Sequence, residues 1–281
     1  MTTVIASPQT LPASLSESEA RAIRKFQDWL DQNLPGQVER LILFGSKARG
    51  DTHPESDVDV LLVLRQATPE QRVRVRDFTV DLMMEDEVDL TAIVLGRDEL
   101  QHQTEIGMPL VRNVSMQGIP LFGEGIMVGK GKPEEVARTF LKGAHERLTS
   151  TRVLVEAGQY RDAVPRAYYA VLDAADGALA VLGITPKSHA GTLALFSLHL
   201  IKTGRVDSRY GGILERIQKS RREADYERMR EFTEADARTA LAKAEDFVAT
   251  VEALIPNVLA EKASEPTEGD SNAADTNDAH P

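Results

Sequence analysis

The stretch GEGIMVGKGKPEE, Gly123 to Glu135, divides the chain into two parts whose hydrophobic patterns differ in kind. Before it, short apolar runs such as VERLILF, SDVDVLLVL and VDLTAIVL alternate with helical patterns; after it only helix-length amphipathic repeats occur. Strands interleaved with helices build a layered α+β unit, whereas consecutive helices joined by short loops pack as a bundle. The sequence therefore predicts an α+β domain over 16–123, a glycine-rich linker over 124–133 and an all-α bundle over 134–257. Residues 1–15 are expected to be a flexible N-terminus. The acidic tail, 258–281, holds too little apolar surface to offset its ordering entropy and is expected to be disordered.

In the first part, Ser16 and Glu19 form a capping box for a helix whose apolar positions Ala20, Ile23, Phe26, Trp29 and Leu30 recur until LPG. VERLILF and SDVDVLLVL read as central strands with a turn-helix between them, and VDLTAIVL as a third. PEQRVRVRDFTVDLMMED reads as mainly helical, and MPLVRNVSMQGIPLFGE as a helix and a short strand. In the second part a helix from Pro133 carries Val136, Phe140, Ala144 and Leu148 on one face. Further helices are expected from Asp162 to Leu182, Gly191 to Lys202 and Tyr210 to Tyr226. A last one starts at the Thr233 cap and stops before Pro256, where the backbone loses a donor.

The 281 residues contain no cysteine, which excludes disulfides, zinc-thiolate sites and thiol catalysis and fits a reducing cytoplasm. No basic-then-apolar leader or membrane-length apolar run is present, so a chain without a membrane partner is expected. About half of the net charge of −11 lies in the tail, and the acidic balance argues against broad non-specific nucleic-acid binding.

The segment LFGSKARGDTHPESDVDV carries the chemistry. Alternation along a strand points Asp57 and Asp59 to one face while Val58 and Val60 face the core. Two parallel carboxylates repel unless a divalent cation lies between them, and oxygen-only ligands suit magnesium or manganese. Magnesium completes its shell with substrate phosphates, so a phosphate cradle should be near. Gly45 and Ser46 offer one through a tight turn, a hydroxyl, following amides and a new helix N-terminus, with Lys47 and Arg49 adding positive charge. The spacing is not that of a P-loop. Asp89, on the neighbouring strand, would complete a two-metal set or act as the base for an attacking hydroxyl. The plain alternative is that Asp57 caps a turn, Asp59 is an exposed strand residue and Asp89 is solvated.

Taken together, FGSKARGDTHPESDVDVLLVL and the later VDL resemble the DNA polymerase β-like nucleotidyltransferases, particularly the minimal and kanamycin-nucleotidyltransferase-like enzymes. The resemblance implies a mixed sheet flanked by helices. It also implies magnesium-dependent use of a nucleoside triphosphate such as ATP, and transfer of its monophosphate to an acceptor hydroxyl. It leaves the acceptor open: a protein tyrosine, a small molecule, as in aminoglycoside enzymes, or an RNA end.

AGQYRDAVPRAYYAVLDAADGAL, GITPKSHAG and RIQKSRREADYE are similar to the HEPN family, whose helical bundles often form homodimers and accompany minimal nucleotidyltransferases. Many members act as RNases through an arginine and a histidine four to six residues on. Here Arg221 and Arg222 lead into EADYERM without histidine, so RNase activity is not expected. Arg222, Asp225 and Tyr226 remain candidates for a phosphate- or nucleotide-binding face, against an ordinary polar network. In related two-component systems the transferase modifies a tyrosine of its HEPN partner, which makes Tyr226 a candidate acceptor. Ser188 or His189 is read as a helix cap, and Tyr168 and Tyr169 as core. A non-catalytic binding or antitoxin-like module is the other reading.

Overall fold

The computed structural model describes residues 11–51, 56–186, 188–226 and 229–264, with the side chains of 225, 226 and 262–264 outside that description. The chain divides into two compact units between Lys132 and Pro133.

The first unit runs α1 (Glu17–Asn33), β1 (Val38–Phe44), α2 (Gly45–Arg49), β2 (Val58–Leu64), α3 (Pro69–Asp86), β3 (Leu90–Gly96), α4 (Arg97–Ile106), α5 (Pro109–Gln117) and β4 (Ile119–Phe122). Its sheet is mixed, in the order β3-β2-β1-β4, with β1 antiparallel to β2 and β4 and with β2 parallel to β3. Helices cover both faces. Val58, Val60, Leu62 and Leu64 join the core beneath α1 and α3, while Leu61 and Val63 join a second core with Leu100 of α4 and Val111 and Val114 of α5. The stretch after β2, expected to be mainly helical, is a helix because Thr68 and Gln71 form a capping box, Pro69 occupies the first turn and Val75 and Leu82 are buried. Phe78 of that helix stacks on Trp29 at 4.8 Å between ring centres.

Part of the expected flexible N-terminus is packed: Leu11 and Leu15 lie against the α1-side core, and Ser14 Oγ donates to the Lys47 carbonyl at 2.5 Å. Part of the expected linker is likewise held. Ile126 is 7% exposed in the α4–α5 core, and Arg112 donates to the carbonyls of Gly107 (2.8 Å) and Lys130 (2.7 Å). An apolar anchor and a guanidinium therefore strap this glycine-rich segment to the first unit.

The second unit comprises α6 (Pro133–Glu156), α7 (Tyr160–Val181), α8 (His189–Phe196) with a π-helical continuation over Ser197–Ile201, α9 (Arg209–Tyr226) and α10 (Glu234–Ser264). α7 is its axis: alanines, valines and Tyr168 bury most of its surface against the neighbouring helices. Phe196, Tyr210 and Phe247 meet at the other side of the core. The expectation that the last helix stops before Pro256 is corrected. α10 runs through it to Ser264, past the bundle end expected at 257, because Ile255 and Val258, 7% and 4% exposed, anchor both sides of the proline.

Candidate active site

Strand register brings the three aspartates to one face. Val58 pairs with Leu90 and Asp59 with Thr91, and the Val58 amide donates to the Asp89 carbonyl at 2.8 Å. Asp57 and Asp89 thus stand level, each one residue before its strand. With Asp59 they continue the odd-numbered side that Leu61, Val63, Ile93 and Leu95 form against α4 and α5. At the strand mouths that side opens. Asp57 and Asp89 are exposed and Asp59 is half-buried.

Across the antiparallel pair, Asp59 stands opposite Phe44, which places it over the first residue of α2. Gly45 adopts φ +76°, and a Cβ there would overlap Oδ2 of Asp59. A side chain is therefore excluded both by the backbone conformation and by the carboxylate. Burial pushes the Asp59 carboxyl up to about 6, Asp57 and Asp89 push the same way, and the Arg49 guanidinium opposes them. Such a carboxylate gains from a nearby cation. The donor set is all oxygen and suits a hard divalent ion. Among the described residues no three histidine, aspartate or glutamate side chains are gathered as a group that could hold a metal ion, so what links the three aspartates here is the field that Asp57 and Asp89 exert on Asp59.

Arg49 reaches Asp51 (Nε to Oδ2, 3.0 Å) and Gln117 (Nη1 to Oε1, 3.1 Å), which fixes its charge at the edge of this cluster. Ser46 is half-buried in the turn, and its carbonyl accepts from the Gly50 amide at 2.9 Å, closing α2 after one turn. One turn carries little macrodipole, so the expected help from a helix N-terminus shrinks to the turn amides and the Ser46 hydroxyl. The placement expected for Lys47 is corrected. It is 5% exposed and lies 2.6 Å from Glu19 Oε1 on α1, on the sheet face opposite the aspartates. Its amphipathic stem and charge are both satisfied inside the fold. His53 falls in the loop outside the described residues.

In the helical unit Arg222 is exposed, and the side chains of Asp225 and Tyr226 lie outside the description. A different polar group gathers there. α7 presents Tyr169, Asp173 and Asp176 to a cleft of about 650 Å³, joined by Arg147 from α6 and His189 from α8. Arg147 Nε donates to Asp173 at 2.5 Å, Thr192 donates to Asp176 at 2.9 Å, and Arg221 donates to the Tyr169 hydroxyl at 3.3 Å. Burial raises Asp173 and lifts Asp176 to about 6; burial and Arg221 lower His189. The helix cap is Ser188, whose Oγ accepts from the Gly191 amide at 3.1 Å, while the His189 ring stands edge-on to Tyr169 at 5.8 Å. His189, on another helix, thus lies near enough to Arg221 for the guanidinium to act on it. Polar residues at i, i+4 and i+7 in the otherwise apolar α7 are the sequence signal for this cleft.

Comparison with known proteins divides at the same place as the fold. Residues 23–106 match the nucleotidyltransferase domain family and residues 137–254 the HEPN domain. The chain is 32% identical over 133 residues, 47% of its length, to a Methanocaldococcus jannaschii protein named "Putative toxin MJ0605", and covers 98% of that protein. A Thermotoga maritima UPF0332 protein is 30% identical over 44% of this chain and 95% of its own length. A second M. jannaschii protein, "Putative protein adenylyltransferase MJ0604", is 46% identical over 46 residues, 16% of this chain and 46% of that one. Among the described residues no helix is long and apolar enough to cross a membrane.

Proposed function

As a nucleotidyltransferase domain joined to a HEPN domain, the families to which its two parts belong, the chain is a nucleotidyltransferase, and we propose that it transfers AMP from ATP to a protein hydroxyl. The observation that carries this reading is the crowding of Asp57 and Asp89 around the half-buried Asp59, directly over the Gly45 turn. Gly45 and Ser46 hold the triphosphate through turn amides and a hydroxyl. Asp57, Asp59 and Asp89 would hold magnesium or manganese, which would supply the charge that offsets the triphosphate and its pyrophosphate leaving group. Asp89 takes the proton of the acceptor hydroxyl as its oxygen bonds to the α-phosphorus and the bond to pyrophosphate breaks. Arg49, held by Gln117 and Asp51, offsets charge at the edge of the site.

A protein acceptor is favoured over a cationic small molecule because, of the acidic run Glu85, Asp86 and Glu87 that would draw one, Glu85 and Asp86 are paired with basic side chains of α1. Asp86 is paired with Lys25 at 2.7 Å and with Arg21 at 3.4 Å, and Glu85 with Lys25 at 3.7 Å. The two parts of the chain also resemble two separate proteins of one organism, a toxin-named and an adenylyltransferase-named one, which supports a transferase part that modifies its own helical part or that of a second copy. Tyr226 is the proposed acceptor.

The test incubates the full chain with α-labelled ATP and magnesium beside the Asp57→Ala/Asp59→Ala double variant, and maps adducts by mass spectrometry. Label on Tyr226 in wild type alone supports the reading. Label elsewhere moves the acceptor, and equal labelling of both proteins removes the role of the aspartates.

A further inference from the structure

We infer that the Glu19–Lys47 ion pair is a positioning brace that preorganises the Gly45–Ser46 turn for nucleotide, with Lys47 acting through the backbone of α2 and not by touching phosphate. The inference rests on the reading above that this turn holds the triphosphate.

A five-residue helix has almost no stability of its own, because nucleation fixes several residues for a single hydrogen bond. α2 also lacks a side-chain N-cap: the residue before it is Phe44. Its conformation must be imposed from outside. Gly45 is confined by Asp59 and Ala48 packs into the α1-side core. The remaining constraint comes from the start of α1. Lys47 Nζ is 2.6 Å from Glu19 Oε1, with side chains 6% and 12% exposed, and Ser14 Oγ donates to the Lys47 carbonyl at 2.5 Å.

Glu19 is itself pinned. Its Oε2 accepts from the Ser16 amide at 2.8 Å, the reciprocal half of the capping box that starts α1. Burial alone would raise the Glu19 carboxyl, but the Lys47 and Ser16 hydrogen bonds outweigh it and hold it below its usual range. The carboxylate therefore stays charged and bound at neutral pH. A capping box, a buried ion pair and a main-chain hydrogen bond thus converge on the residue next to Ser46. A cation that merely neutralised phosphate would be exposed on the aspartate face instead.

The experiment measures binding of ATP with magnesium to full-length wild type, Glu19→Gln, Lys47→Met and the double variant by calorimetry, with thermal melts confirming folding. Hydrogen exchange of the peptide over 43–50 is followed without nucleotide. Expected results are a Kd raised about tenfold in each single variant, a double variant no weaker than the worse single, and faster exchange of the turn amides in all three. Should Lys47→Met melt near the assay temperature, Glu19→Gln alone decides. Weakened binding in Lys47→Met with unchanged binding and exchange in Glu19→Gln would mean that Lys47 meets the phosphate directly and overturns the brace. Unchanged Kd and exchange in folded variants also overturns it. Wild type that fails to bind ATP removes the nucleotide reading itself, an outcome distinct from both.

Discussion

Gly45 lies so close beneath Asp59 that a Cβ added to it would overlap the carboxylate oxygen Oδ2, with Asp59 Cγ 3.2 Å away. The proposed phosphate turn and metal carboxylates are therefore one packed object. Gly45→Ala should lower nucleotidyl transfer by about 100-fold, since displacing a reacting group by about 1 Å has that scale of effect. Gly50 is the control: its φ is +78°, but a Cβ placed there would meet nothing within 4 Å. Gly50→Ala carries backbone strain of about 1 kcal/mol without the collision, so label incorporation should stay within a few-fold of wild type.

Asp176 makes the stability of the helical unit depend on pH. Its folded pKa is raised to about 6 from 3.8, so between about pH 4 and 6 the native state binds more protons than the unfolded chain. The contribution of Asp176 is then greatest below pH 4, falls as pH rises through about 6 and is level above. The total is about 1–3 kcal/mol. Asp176→Asn keeps an acceptor for Thr192 Oγ1 and should flatten this slope, gaining stability at pH 8 but not at pH 4 in urea titrations.

The strap over 124–132 depends on Arg112, which donates to the carbonyls of Gly107 and Lys130. Arg112→Ala removes both bonds, at about 1–3 kcal/mol of local stability. Trypsin should then cut after Lys130 faster than in wild type, with transfer activity as the control for intact folding elsewhere.

Val258 tests the extension of α10 beyond Pro256. It is 4% exposed within the bundle core. Val258→Ala should destabilise the unit by about 1–2 kcal/mol, read as an earlier denaturant midpoint at unchanged slope. A solvated tail at this position would show no shift.

Much of this is legible in one dimension because local physics enforces it. The capping boxes at Ser16 and Thr68 and the strand runs ending at Gly45 and following Asp57 need no distant partner to be recognised, although the helix after Thr68 reads ambiguously from its apolar pattern alone. The alternation that puts Asp57 and Asp59 on one side of a strand is a property of the backbone. Lys47 misleads for the complementary reason. A lysine beside a glycine-serine turn is an attractive phosphate ligand until α1 supplies Glu19, from far earlier in the chain, on the other face of the sheet. His189 escapes likewise, since its neighbours Tyr169 and Arg221 lie on two other helices.

By itself the sequence determined the two-part architecture, the glycine-serine turn and the Asp-x-Asp pair, because periodicity, turn chemistry and strand alternation act over a few residues. Only the tertiary structure decided which charges meet. It levelled Asp89 with Asp57 through parallel register, seated Gly45 under Asp59, withdrew Lys47 to Glu19 and carried α10 through Pro256. The physical reason is that burial and electrostatic partnership depend on distances between segments remote in the chain, which no local pattern encodes.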